Sequence, residues 1–136
     1  MSDSLKAGKP QFRNINITDL VHYRMTLAAI TSILHRISGA LIFLLLPVIL
    51  LLLDKSLMSE ISFDHFKGIA SHWFVKLIIL ALAWAYLHHF CAGIRHLFAD
   101  VHVGADKVNG CKSAVIVLAI SLPLTALVAL KLFGAF

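Results

Sequence analysis

The chain has 136 residues, of which 60% are hydrophobic and only 14% charged, and its mean hydropathy is +0.89. That composition excludes an ordinary soluble domain and describes a membrane protein with length for one small helical bundle and no separate soluble domain. The net charge of +5 does not point to nucleic acid, because the twelve Lys and Arg are scattered around apolar segments and form no single patch.

Residues 1–26 form a polar N-terminal segment with no small-residue cleavage site after a short apolar core, so the tail is expected to stay attached. The first predicted span, about 27–53, is entered from "FRNINITDLVHYRM" and closed by Asp54 and Lys55. "DKSLMSEISFDHFKG" then reads as an outer loop. The second span, about 73–98, opens on Trp73, placed like an interfacial anchor, and has Arg95 and Asp100 at its far end. "DVHVGADKVNG" reads as an inner loop, and the third span, about 113–133, is the plainest of the three. Each is long enough to cross a hydrocarbon core of ~30 Å at ~1.5 Å per residue. Helices are expected because lipid leaves backbone polar groups unsatisfied, and Pro47 and Pro123 are tolerated as bends where neighbouring helices compensate. The expected fold is therefore all-α: one membrane-anchor domain over residues 1–136, built on three transmembrane helices.

Topology explains the cations. Lys6, Lys9, Arg13, Arg24, Arg36, Arg95, Lys107 and Lys112 fall on or near the N-terminal side, against Lys55, Lys67, Lys76 and Lys131 on the other, which predicts a cytoplasmic N-terminus. Cys91 and Cys111 belong to no C-x-x-C or metal-type pattern and read as small apolar residues.

The polar groups inside the spans carry the functional signal. Helical spacing puts Ser32, His35, Arg36 and Gly39 on one stripe of the first span, and Tyr86, His89, Gly93, His96 and Asp100 on one stripe of the second. Counted from the same side of the membrane, His35 lies ~12 Å deep and His89 ~14 Å deep, so the two stripes meet at one level. Any one of these residues has an ordinary explanation as a hydrogen-bonded His or a small packing residue. The set is harder to explain that way, since an Arg at this depth costs at least ~2.5 kcal/mol and calls for an anionic group beside Arg36. A haem supplies one: an imidazole ligates iron, a glycine four residues on makes room for the macrocycle, and propionates need cations. "HHFCAG" offers His89 with Gly93 in that arrangement.

"SILHRISG" in the first span together with "HHFCAGIRHLFAD" at the end of the second resembles the large membrane-anchor (cytochrome b556) subunits of succinate dehydrogenase, the succinate:quinone oxidoreductase of complex II. The resemblance runs from about residue 13 to 133, and the paired motifs make it specific. It implies that His89 is an axial ligand of haem b and its iron, while the adjacent His88, turned by ~100° from the Gly93 and His96 stripe, is not. It implies a second ligand from a small membrane-anchor partner subunit, His35 and Arg36 at the haem propionates, and Ser32 and Arg36 at ubiquinone. It further implies an iron–sulfur subunit and a flavoprotein subunit that hold the iron–sulfur clusters and FAD, so that this chain has no dicarboxylate site. The expected setting is a bacterial inner membrane, within a heteromeric transmembrane bundle. "RNINITDLVHYRMTLAA" departs from the phrase common in many members, and no quinone contact is assigned before Ser32. His96 and Asp100 read equally as proton relays or as helix ties. Two competing readings are the anchor of a quinol:fumarate reductase, told apart by its native quinone, and a haem-free transporter or assembly protein, told apart by an absorption spectrum.

Overall fold

A computed structural model describes residues 24–104 and 106–134, together with Thr18 and His22. The polar segment before residue 24 otherwise lies outside the described residues. Four helices follow: α1 (Leu27–Leu57), α2 (Glu60–Ser71), α3 (Trp73–Asp100) and α4 (Lys107–Leu132). No strand occurs among the described residues. Helices α1, α3 and α4 are each long and apolar enough to span a membrane.

The spans are longer than hydropathy alone suggests, because capping chemistry at the interface decides where a helix ends. Thr26 caps α1 by accepting from the Ala29 N–H at 3.3 Å. At its other end α1 runs through Asp54 and Lys55, which are exposed polar residues with no tendency to break a helix, and stops at Leu57. The segment expected as an outer loop holds α2 instead. Ser59 and Ser62 make a reciprocal capping box, with the Ser62 N–H donating to Ser59 Oγ at 3.1 Å and the Ser59 N–H donating to Ser62 Oγ at 3.0 Å. His72 ends α2 and begins α3, its Nδ1 accepting from the Phe74 N–H at 3.3 Å. Asp106 starts α4 several residues before the expected Ser113, accepting at Oδ1 from the N–H groups of Val108 and Asn109 at 3.0 and 2.9 Å. Those bonds, the Asn109 N–H first among them, hold the Asp106 carboxyl below the usual carboxylate range. The α3–α4 turn is tightened by His102 and Gly104, both with positive φ.

Helix α3 packs against both α1 and α4, and α1 also touches α4. Along α3 the buried positions are Ala85, His88 and Ala92; along α4 they are Ala114, Val117 and Ser121. Spacings of three and four put each trio on one helix face. Small side chains let the α3 and α4 backbones approach closely, which is how helices associate where lipid supplies no hydrophobic drive. The seam is tied at both ends. Arg95 donates from Nε to Ser113 Oγ at 2.9 Å and from Nη2 to the Gly110 carbonyl at 3.3 Å, while Lys76 Nζ sits 5.6 Å above the Phe133 ring. Much of α1 beyond Gly39 is exposed leucine, isoleucine and phenylalanine, a surface suited to lipid or to neighbouring transmembrane chains.

Candidate functional site

His35 and Gly39 of α1 meet His89, Gly93 and His96 of α3, while the other members of the two polar stripes do not join the ring cluster. The imidazoles of His35 and His89 stack with centroids 4.2 Å apart and planes 8° from parallel. His96, two turns along α3, tilts against the other side of the cluster at 4.9 Å from His35. All three rings are half-buried.

The main chain orients His89. Its Nδ1 lies 3.0 Å from the His35 carbonyl oxygen and 3.4 Å from Ser38 Oγ. Ser38, buried at 3% exposure, donates its hydroxyl to the same carbonyl at 2.9 Å. A carbonyl can only accept, so Nδ1 carries hydrogen and the neutral ring keeps its lone pair on Nε2. Among the described residues Nε2 has no hydrogen-bond partner, nor do the ring nitrogens of His35 and His96; His89 is the imidazole of the cluster whose tautomer a backbone contact fixes, with the Nε2 lone pair left available. Gly39 makes the ring's position possible: a Cβ there would stand 2.6 Å from His89 Cε1. A Cβ at Gly93 would meet His35 Nε2 at an ordinary 3.5 Å.

His88 is set apart from His89. It is fully buried and stacked on Trp84 at 5.4 Å, and neither of its ring nitrogens is held by a hydrogen bond of good geometry, the Thr31 backbone standing at the margin of one. Ser32 is half-buried, and its hydroxyl makes no hydrogen bond among the described residues. Thr31, Ser38, Ser56 and Thr125 behave differently, each turning its hydroxyl back onto a carbonyl of its own helix. Arg36 is exposed beside the cluster, within electrostatic reach of His35 and His96. Tyr86 and Asp100 are exposed and lie outside the ring stack. Sequence reasoning missed Ser38. It lies three residues after His35 in "HRISG", where a hydroxyl can reach back to the preceding turn, but its contact with His89 is made only across the helix pair.

Comparison with known proteins gives a consistent answer. The model of the succinate dehydrogenase/fumarate reductase transmembrane subunit family matches residues 12–128. The chain is 37% identical over 111 residues to the succinate dehydrogenase cytochrome b556 subunit of Coxiella burnetii, covering 80% of this chain and 87% of that one. To the subunit of the same name in Paracoccus denitrificans it is 29% identical over 133 residues, covering 98% of both chains. To that of Rickettsia prowazekii it is 30% identical over 87 residues, covering 62% of this chain and 65% of its relative. The chain belongs to the succinate dehydrogenase/fumarate reductase transmembrane subunit family and is a membrane-anchor subunit of complex II.

Proposed function

We propose that this anchor holds one side of a b-type haem through His89 and shapes a ubiquinone pocket with Ser32 and Arg36, on the side of the membrane where its N-terminus lies. The observation that carries the reading is the 3.0 Å contact of His89 Nδ1 with the His35 carbonyl, which leaves Nε2 as a free donor atom. The residues present fit a haem: Nε2 would ligate iron, Gly39 gives the imidazole its place, and Arg36 offers an exposed cation next to His35 for propionates. When bound, the haem takes up and returns one electron at a time. Cytochrome b556, in the names of the relatives, is a haem protein, and those names support the same cofactor here.

For the quinone, the untethered Ser32 hydroxyl is available to donate to a carbonyl oxygen. The Arg36 guanidinium, one turn on, stabilises negative charge as it develops there on reduction. The electrons originate in succinate oxidation at a flavoprotein subunit and arrive through an iron–sulfur subunit. A small anchor subunit would supply a second ligand to the iron. The cation distribution supports a cytoplasmic N-terminus in a bacterial inner membrane, with the soluble subunits on that face. The deciding experiment compares His89→Ala with His88→Ala in the purified complex. Loss of the low-spin b-type spectrum in the first and its retention in the second is expected; a wild-type spectrum in His89→Ala overturns the ligand.

A further inference from the structure

We propose that Ser38 and Gly39 are positioning residues for the His89 ring, fixing its tautomer and its plane so that Nε2 remains the donor. The proposal rests on the reading of His89 as an axial ligand and names what holds that ligand.

Three observations carry it. The N–H at His89 Nδ1 meets two oxygens, the His35 carbonyl at 3.0 Å and Ser38 Oγ at 3.4 Å. Because the Ser38 hydroxyl hydrogen is already donated to that carbonyl at 2.9 Å, Oγ presents lone pairs to the ring nitrogen. Ser38 is 3% exposed, so water does not compete for the contact. Gly39 then removes the one obstacle to this placement, for a Cβ would lie 2.6 Å from Cε1 and 3.1 Å from Nδ1 of His89. Relieving that clash requires the ring or its helix to shift by several tenths of an ångström, which strains the contact at Nδ1. Nothing in the local helix calls for glycine at this position: Gly39 lies inside α1, where alanine is the better helix former. The close approach of His89 is the physical reason for it.

The chemistry follows from the proton. Acceptors on Nδ1–H make the imidazole more electron-rich at Nε2, strengthening it as a ligand and favouring the oxidised iron. Removing Ser38 Oγ weakens that effect without removing the carbonyl, so its loss tunes the site. Moving the ring disables the site.

The test uses the assembled complex in membranes, with Gly39→Ala, Ser38→Ala, Ser38→Thr and His89→Ala compared for accumulation of the chain, haem per flavin, absorption spectrum and haem midpoint potential. For Gly39→Ala, the chain accumulates and haem affinity falls by about 10–100-fold, the usual cost of disturbing a ligand's supporting contacts. Ser38→Ala keeps its haem, the potential rises, and Ser38→Thr returns it towards wild type. Wild-type haem content, spectrum and potential in Gly39→Ala overturn the proposal, as does an unchanged potential in Ser38→Ala. Should Gly39→Ala fail to accumulate, the Ser38 pair decides alone. A low-spin spectrum surviving in His89→Ala refutes the ligand itself, whereas its loss beside unaffected Ser38 and Gly39 variants refutes only their positioning role.

Discussion

The two seams that α3 makes, with α4 and with α1, are built on opposite plans. In the core that α3 shares with α4, Ala85 and Ala92 of the one helix and Ala114 and Val117 of the other are all at 4% exposure or less. Toward α1 it presents Gly93 and two half-buried rings, His89 stacked on His35 and His96 tilted against it. The first seam is closed by small side chains and by the Arg95 tie to Ser113 and Gly110. In the second, glycines on one helix face imidazoles on the other, so the close approach that usually serves helix association serves to seat rings.

Substitutions on the two seams should therefore fail in different ways. Arg36→Leu removes the exposed cation beside the ring cluster, and losing a charge-assisted contact of ~1.5–3 kcal/mol should slow succinate-driven ubiquinone reduction about ten- to a hundredfold. Reduction of an artificial acceptor that takes electrons upstream should be unchanged per flavin. Equal loss of both activities removes Arg36 from the quinone pocket. Ala114→Leu acts on the other seam. Three added carbon atoms at a position with 0% exposure overpack the α3–α4 face by ~1–3 kcal/mol. The amount of complex recovered from membranes should fall while turnover per haem stays at the wild-type value. A selective loss of quinone reduction instead erases the distinction between the seams.

Ser32→Ala is the finer probe. It deletes a hydroxyl that no helix carbonyl holds, and a neutral hydrogen bond of ~0.5–1.5 kcal/mol predicts quinone reduction about two- to tenfold slower, with chain level and haem spectrum unchanged. Thr31→Ala, one residue away, removes a hydroxyl bonded to the Leu27 carbonyl at 3.0 Å and should leave quinone reduction alone. Matching kinetics for the two variants assign Ser32 to packing.

The same contrast explains what was legible in the sequence. Three spans follow from the lengths of the apolar runs, and the meeting of His35 with His89 follows from a fixed rise per residue counted from a shared membrane face. Helix ends do not follow from apolarity, since Ser59 and Asp106 extend helical structure into polar segments by hydrogen bonds that hydropathy ignores. Ser38 was unreadable for another reason: its partner is 51 residues away, and only the azimuth at which α1 meets α3 brings them together. Gly39 was visible as a member of the polar stripe, but which ring it accommodates depends on that same azimuth.

The smallest expected effect lies at the edge of the quiet seam, at the start of α4. Asp106 accepts from the Val108 and Asn109 N–H groups, and it also takes a bond from the Asn109 side-chain amide. These bonds favour the carboxylate, so its pKa is depressed in the folded chain. A depressed carboxylate adds stability that is fully present above its unfolded pKa and is lost as pH falls through the folded one, so the cap holds at neutral pH and fails only in acid. Hydrogen exchange at Val108 and Asn109 should quicken by roughly a few-fold in Asp106→Ala at neutral pH, while Asp106→Asn, which keeps an acceptor oxygen, should lie between it and wild type. The haem spectrum and quinone reduction should not change, because the Arg95 tie holds the α3–α4 seam one turn further in. If the loss of this exposed cap alters the haem spectrum, the two seams are mechanically coupled through the α3–α4 turn, and the separation between a packing seam and a functional seam fails at its weakest point.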